Sequence, residues 1–409
     1  MPELPRPLHD CHSTLLTPQT SKHLGWAGVL GPLGVYAYIM GFAIPLPWDL
    51  PLLVLGVCAI FTLGARSSTY LSAWSPLVLF LLLFLVTTGL STLGSIDVGR
   101  SIRFSAPFLP ALLLFGLMAE SGVTLREIRF LYLTFSTVAL GLALVVLWTL
   151  WSTQNPNVYS VILHVGSPLL AVPNDVTFLA VVAPLSWVLL CHKPRGGMGL
   201  LALLSLLVSG GAICAFRSRT ALLTLVIALP CAVTLVRPLR YFAQSVVYGL
   251  ACLLCLLLID MLLGFPLATK VLRDWSDLKR LGYWAITWTM FQERPWLGQG
   301  PYTFGLFHRT PWAHNLYLEI LAERGLVGLT AFGGLLVCGM SAAWRLRHAA
   351  ARDVRLYGAG ALAGLVGMGV AGGVELTLLR LWVVITLLTL LGVIAHLSSS
   401  SDTAKGDRG

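Results

Sequence analysis

The stretch between Trp284 and Gly328 is a polar island in a strongly apolar chain. It reads WAITWTMFQERPWLGQGPYTFGLFHRTPWAHNLYLEILAERGLVG and is rich in Arg, Glu, Gln, His and Trp. Charge at membrane level or on the rim of a membrane is costly, so such a cluster marks a functional site by default. Arginine holds anions, and histidine takes up or releases a proton near neutral pH.

The His-Asn pair of this island, His314 and Asn315, lies where the pattern predicts the start of a helix. Tyr317 falls on the His314 face of that helix. Asn315, Glu319 and Glu323 follow one another at four-residue spacing along another face. A single histidine is more often structural than catalytic. One beside an asparagine at a membrane rim, reached through a Trp-rich loop, favours a functional role.

The elements that position this island are apolar and long. Of 409 residues, 57% are hydrophobic and only 11% are charged, whereas about a quarter of a soluble domain is charged. Only helices satisfy the backbone within single apolar stretches of about 20 residues, because barrel strands alternate and are half as long. The fold class is therefore an all-α polytopic membrane protein. We expect about twelve transmembrane helices, at 25–44, 48–64, 76–93, 104–119, 129–151, 168–191, 199–215, 220–236, 243–263, 315–340, 357–373 and 377–397.

The charges between these runs predict the orientation. With both termini cytoplasmic, most basic loops fall on the inner side, as the positive-inside rule requires. The inner residues are Arg66, Arg126, Arg129, Lys193, Arg195, Arg237, Arg240 and the run at 345–355. The outer side receives the long segment 264–314.

Two short outer turns break this rule. One carries Arg100 and Arg103, and the other carries Arg217 and Arg219. Arginines retained on the translocated side oppose insertion, so an anionic ligand at the outer membrane face is the plainest reason for them. The net charge of +10 is compatible with such a ligand, although anionic lipid bound by the inner loops explains it equally well.

The segment from Arg280 to Phe291 has the composition of an amphipathic helix lying along the interface. Trp284 and Trp288, one turn apart, would face lipid, and Arg280 would stand at the polar start. The following ERPWLGQGPYTFG contains Pro and Gly residues that predict a tight irregular path. The island is thus expected to combine an interfacial helix, a turn-rich loop and a helix that enters the membrane.

These residues carry a family resemblance. An SRT motif after a span, an arginine opening a Trp-rich segment, the phrase RPWLGQG and then HNLYLEILAERGLVGL together resemble the O-antigen ligase family, which shares a core with O-antigen polymerases. The motifs cover about 200 to 345. The resemblance implies a C-type membrane glycosyltransferase-like bundle with a periplasmic helical loop. It also implies inverting, metal-independent transfer of a glycan from undecaprenyl diphosphate to lipid A core on the periplasmic side.

The resemblance also implies roles for individual residues. Arg219 matches the arginine of the SR motif, Arg280 the arginine before the aromatic segment, and His314 the histidine of the HN motif, which makes these three the predicted catalytic set. Glu375 stands where relatives often hold a late acidic residue, in a stretch that matches poorly. The predicted substrate-binding residues are Arg217, Arg103, Asn315, Trp284, Glu319 and Glu375.

The chemistry of that reaction agrees with these residue types. Arginine grips phosphate oxygens in a bidentate fork and would stabilise the leaving diphosphate. His314 would be the base for the acceptor hydroxyl, with His308 and His164 as alternatives. We expect no metal and no cofactor, because no paired carboxylates on the outer face offer the oxygen ligands that Mg²⁺ needs. Arginines would then supply the charge stabilisation.

Partners and alternatives follow from the same analysis. The expected partners are the undecaprenyl-diphosphate-linked glycan donor, the lipid A core acceptor and membrane lipids. No nucleotide-binding signature appears in the chain, and no nucleic acid is expected. An O-antigen polymerase with the same donor chemistry stays open. From another class, a lipid-linked glycan transporter or flippase stays open too, although no internal repeat is visible.

The expected organisation has five parts in a bacterial inner membrane, with the active site facing the periplasm. They are a cytoplasmic N-terminal tail (1–24), transmembrane helices 1–9 (25–263), a periplasmic catalytic loop (264–314), transmembrane helices 10–12 (315–397) and a cytoplasmic C-terminal tail (398–409).

Overall fold

The computed structural model describes ten segments of the chain. They are residues 33–40, 49–65, 75–106, 108–119, 123–153, 176–192, 196–216, 218–236, 278–310 and 312–406. Every regular element within these segments is helical, and none of them contains a strand. The all-α fold class is confirmed for this part of the chain.

Fourteen helices are numbered here in chain order. They are α1 (33–40), α2 (Asp49–Ala65), α3 (Pro76–Leu93), α4 (Val98–Ser105), α5 (Phe108–Ala119), α6 (Leu125–Thr153), α7 (Thr177–Cys191), α8 (Gly197–Phe216), α9 (Arg219–Val236), α10 (Leu278–Glu293), α11 (Phe304–Phe307), α12 (Leu316–Arg345), α13 (Arg352–Gly372) and α14 (Leu381–Gly406). A single 3₁₀ turn, Leu346–His348, joins α12 to the loop before α13.

Seven helical spans in the described segments are long and apolar enough to cross a membrane. They are Pro76–Leu93, Val98–Ala119, Leu125–Ser152, Gly197–Phe216, Leu316–His348, Arg352–Gly372 and Leu381–Ser399. Three shorter apolar helices accompany them. This architecture fits a polytopic helical membrane protein, but it does not confirm a count of about twelve. The expected span 243–263, the tail 1–24 and most of the expected span 25–44 lie outside the described residues.

Helix α13 is the centre of the bundle. It packs against α7, α9, α12 and α14, and small residues along it allow these close approaches. A Cβ added at Gly367 would lie 3.1 Å from Cγ2 of Thr224 on α9, and one added at Gly364 would lie 2.7 Å from Leu390 on α14. The end of α13, which leads into Glu375, is therefore held by several neighbouring helices.

One predicted turn is wrong. Arg100 and Arg103 do not lie in a short turn, because α4 forms there and Asp97 caps it by accepting a hydrogen bond from the Arg100 amide at 2.9 Å. The apolar span of the final helix ends at Ser399, close to the predicted end at 397. The helix itself continues to Gly406, so residues 398–406 of the predicted C-terminal tail are helical.

Helix α12 is interrupted at Gly325. This residue has φ 68° and ψ −170°, a conformation that suits only glycine. An added Cβ would lie 2.2 Å from the carbonyl oxygen of Trp296. The break exists because another part of the chain, the loop after α10, approaches the helix at this point.

That loop, residues 295–300, is hydrogen-bonded to both sides of the break. The amide of Leu326 donates to the carbonyl of Pro295 at 2.8 Å, and the Gln299 amide donates to the carbonyl of Ala322 at 3.0 Å. The loop thus satisfies backbone groups that a broken helix would leave unpaired. It also fixes α10, which carries Arg280, against α12, which begins just after His314.

Candidate active site

Glu375 is the centre of a cluster assembled from three elements. Its Oε1 lies 2.6 Å from Nδ1 of His314, and its Oε2 accepts a hydrogen bond from Nη2 of Arg280 at 2.9 Å. Arg280 lies in the first turn of α10, His314 just before α12, and Glu375 in the loop after α13. The structure therefore joins two of the three predicted catalytic residues through the residue with the poorest motif match.

The three side chains differ in exposure. The side chain of Glu375 is 3% exposed, that of His314 is 19% exposed and that of Arg280 is 36% exposed. A buried carboxylate needs compensating partners, and these two supply them. With the Glu375 carboxylate accepting a hydrogen bond from Nδ1–H of His314, the Nε2 atom is the ring nitrogen left to accept a proton from a bound molecule.

The backbone at His314 adopts an uncommon conformation. His314 has φ 56°, one of the two positive φ values among non-glycine residues of the described chain. A bulky residue rarely adopts this conformation, and such strain clusters at functional sites. Asn315 follows at once as the N-cap of α12 and confirms the predicted helix start, with its Oδ1 accepting from the amides of Tyr317 and Leu318 at 3.1 Å each.

Aromatic rings surround the imidazole. The ring of Tyr283 stacks on His314 with centroids 5.7 Å apart, and Trp312 meets it edge-on at 5.9 Å. The guanidinium of Arg380 lies over the ring of Trp312, with its Cζ 4.5 Å from the ring centroid. Tyr283 also contacts His308, whose Nδ1 is bonded to Thr310. These rings restrict the orientation of His314 and enclose it on two sides.

The structure describes three further predicted site residues, Arg219, Trp284 and Arg103. Arg219 begins α9, which packs against α13, and its side chain is partly exposed. Trp284 lies one turn after Arg280, and its indole N–H is buried without a hydrogen-bond partner in the described residues. Arg103 lies on the separate helix α4 with its side chain exposed. Arg217 and His164 lie outside the described residues.

Glu319 is buried one turn inside α12. It is 1% exposed and bonded through Oε1 to the hydroxyl of Thr377, two residues after Glu375. It therefore contacts the loop that carries Glu375 rather than an open surface. Four residues further, Glu323 and Arg324 form a second ion pair, which is completely enclosed.

Sequence reasoning missed three residues of the site, Tyr283, Trp312 and Arg380. It placed Glu375 among the substrate-binding residues but did not predict its contacts with His314 and Arg280. The helical spacing of Arg280 and Tyr283 was a usable signal, because residues three apart share a helix face. Nothing local pointed to Arg380, since it comes from a distant part of the chain.

Groups that could hold a metal ion are absent from the described residues, where no three or more His, Cys, Asp or Glu side chains cluster suitably. The candidate site instead combines one carboxylate with an imidazole and a guanidinium. Such a set can take a proton from a hydroxyl and present positive charge to an anion.

One family model matches part of the chain. Residues 203–333 match the family model described as O-antigen ligase, which confirms the resemblance found in the sequence. The matched segment contains Arg219, Arg280 and His314 but ends before Glu375. A search of curated protein sequences found no match.

Proposed function

From the match of residues 203–333 to the O-antigen ligase family, we propose that this protein transfers a glycan from undecaprenyl diphosphate to a sugar hydroxyl of lipid A core. The reaction inverts the anomeric centre and uses no metal. The protein acts in the bacterial inner membrane with its active site facing the periplasm. The family suggests a ligase or a polymerase-like enzyme; the donor, the acceptor and the orientation are part of the proposal.

One observation carries this proposal: His314 is bonded through Nδ1 to a buried carboxylate and is itself partly exposed. In the proposed step, the acceptor hydroxyl oxygen attacks the anomeric carbon of the donor sugar while its proton passes to Nε2 of His314. The bond from that carbon to the diphosphate oxygen breaks, and the diphosphate leaves with the electron pair. Glu375 orients the imidazole and stabilises the positive charge that develops on it.

Positive charge for the leaving diphosphate comes from arginine. Arg280 donates through Nη2 to Glu375 and through Nη1 to the carbonyl of Val374, and its side chain is 36% exposed. A guanidinium has five N–H groups, so these two bonds leave capacity for a phosphate. Arg219 stands at the start of α9, where the helix N-terminus also favours anions. We assign these two to the diphosphate, with Arg217 and Arg103 as weaker contributors. Fixed guanidinium charges in a water-poor site take the electrostatic role that a metal has elsewhere.

The decisive experiment supplies purified protein with undecaprenyl-diphosphate glycan and lipid A core and separates the products on a gel. We expect glycan on the core with wild type and a loss of roughly 10²–10⁴-fold with His314→Ala, because positioned proton transfer contributes that much. Thr330→Val is the matched control, since the exposed Thr330 bonds only within α12. Activity should persist in EDTA; activity that EDTA abolishes and Mg²⁺ restores contradicts the metal-free step.

The products also separate the alternatives. Longer undecaprenyl-linked chains beside unmodified core would identify a polymerase. Neither product, together with full activity of His314→Ala in cells, would contradict an enzyme at this site and favour a transporter. The orientation has its own test. Cysteines at Ser218 and Thr310, in a Cys-free background, should react with an impermeant thiol reagent from outside, whereas labelling at Ala350 would reverse the proposed orientation.

A further inference from the structure

The segment that carries Glu375 is tied to the start of α12 by three side chains. Nδ2 of Asn315 donates to the carbonyl of Gly373 at 3.0 Å, and the hydroxyl of Tyr317 donates to the carbonyl of Gly369 at 2.7 Å. Glu319 is bonded to the hydroxyl of Thr377. These three bonds, here named the α12 clamp, attach the segment 369–377 at three points.

Glu375 lies in the middle of the clamped stretch. Gly373 is two residues before it and Thr377 is two residues after it, so the bonded positions bracket the carboxylate. His314 is the residue immediately before Asn315. The same asparagine therefore fixes the backbone that follows the imidazole and the backbone that precedes the carboxylate.

Asn315 has little capacity left for a substrate. Its Oδ1 accepts two hydrogen bonds from the first amides of α12, and its Nδ2 donates to Gly373. An amide oxygen has two lone pairs, and both are used here. The second N–H of Nδ2 is the group left for the substrate-binding role that the sequence predicts for Asn315.

We propose that Asn315, Tyr317 and Glu319 are positioning residues that act through Glu375 by holding its carboxylate on His314. This inference rests on the proposed function. Arg280 also contacts Glu375, but it is more exposed than the clamp residue Glu319 and belongs to another helix. A shift of about 1 Å in the segment would break the 2.6 Å contact between His314 and Glu375, and misplacements of that size cost on the order of 10²-fold in rate.

The main test is Asn315→Ser. Serine keeps an N-cap oxygen for the first amides of α12 and adds no charge, but it is too short to reach Gly373. We expect kcat for glycan transfer to fall roughly 10- to 100-fold, while KM for the lipid-linked donor changes less than about threefold. Tyr317→Phe, which removes one hydroxyl, should lower kcat about two- to tenfold. Thr330→Val should match wild type.

A double-mutant cycle separates positioning from a merely structural role. In a Glu375→Gln background, Asn315→Ser should cost less than about twofold in kcat, because the interaction through which it acts is already lost. Equal losses in both backgrounds, or a wild-type kcat for Asn315→Ser alone, would overturn the clamp. If Asn315→Ser does not yield folded protein, the same cycle with Tyr317→Phe decides, with the same two outcomes. Failure of the proposed function is distinct, because wild type would then form no product.

Discussion

Two Arg–Glu pairs, one near the start of α12 and one within it, differ in what surrounds them. The outer pair, Arg280 and Glu375, meets His314 just before the helix, and the side chain of Arg280 is 36% exposed. The inner pair, Glu323 and Arg324, lies beside the break at Gly325, with the two side chains 0% and 3% exposed. The charges are the same, but only the outer pair is open to a bound molecule.

The partners of the inner pair are all parts of the protein's own framework. Nε of Arg324 donates to the hydroxyl of Thr88 on α3 at 3.3 Å, and Glu323 accepts from the amide of Phe304 at 3.4 Å. The carbonyl of Glu323 accepts from Ser91 at 2.6 Å. The inner pair therefore joins α3, α11 and α12, whereas the outer pair contacts the partly exposed imidazole of His314. Exposure, more than residue type, distinguishes the two ion pairs.

The largest expected effect comes from breaking the inner pair. Arg324→Met leaves the carboxylate of Glu323 buried without its partner, which costs on the order of 3–5 kcal/mol of folding free energy. The measurement is thermal unfolding of the detergent-solubilised protein, together with the yield of monodisperse material. The control is Glu323→Gln combined with Arg324→Met, which removes both charges and should be more stable than the single variant. A single variant as stable as wild type would contradict this account.

The next effect concerns the helix break beside the inner pair. Gly325→Ala places a methyl group about 2.2 Å from the carbonyl oxygen of Trp296 at a positive φ, so the loop 295–300 must move away. We expect a loss of at least about 1–3 kcal/mol in stability from the backbone strain alone. Gly333→Ala is the matched control on the same helix, because nothing lies within 4 Å of its added Cβ. Equal melting temperatures for the two variants would refute the proposed contact.

The outer pair should respond in the opposite way. Glu375→Gln keeps the shape of the side chain but removes its charge, so transfer should fall about 10- to 150-fold, as expected for losing charge-assisted hydrogen bonds of about 1.5–3 kcal/mol. The melting temperature should change little. Glu323→Gln should lower the melting temperature while leaving the rate per folded molecule unchanged. Lost stability with normal transfer in Glu375→Gln, together with lost transfer and normal stability in Glu323→Gln, would contradict the distinction between the pairs.

The smallest effect tests a single contact of the inner pair. Thr88→Val removes the hydroxyl that accepts from Arg324 and should cost about 0.5–1.5 kcal/mol of stability, the usual net value of one hydrogen bond. Transfer per folded molecule should be unaffected. Val86→Ala is a comparison on the same helix, because Val86 is exposed. A Thr88→Val variant that loses activity without losing stability would connect the inner pair to the chemistry.

The sequence predicted the features that depend on local rules. The start of α12 at Asn315 and the helix beginning near Arg280 follow from a capping side chain and an amphipathic pattern, each within one or two turns. The turn predicted at Arg100 and Arg103 failed because the capping power of Asp97 was overlooked. The expected count of about twelve spans relied on apolar length alone, which does not separate a complete crossing from a shorter apolar helix.

The centre of the candidate site could not be read from local pattern. Glu375 is 61 residues from His314 and 95 from Arg280 along the chain. The loop 295–300 bonds to α12 because α10 and α12 pack against each other. Periodicity and capping describe neighbours in sequence, whereas these contacts depend on which helices meet. A charged residue in an apolar stretch was the available sign, and it identified Glu375 as unusual without naming its partners.

The hydrogen bonds between loop 295–300 and the interrupted helix α12 predict slow amide hydrogen exchange in this loop. The amides of Gln299 and Gly300 are buried and donate to carbonyls of α12 at 3.0 and 2.9 Å, although the loop has no helical structure of its own. Slow amide exchange requires a protected hydrogen bond rather than a regular element. In deuterium-exchange mass spectrometry, peptides covering this irregular loop should therefore label as slowly as α12, whereas the exposed turn around Arg309 should label quickly.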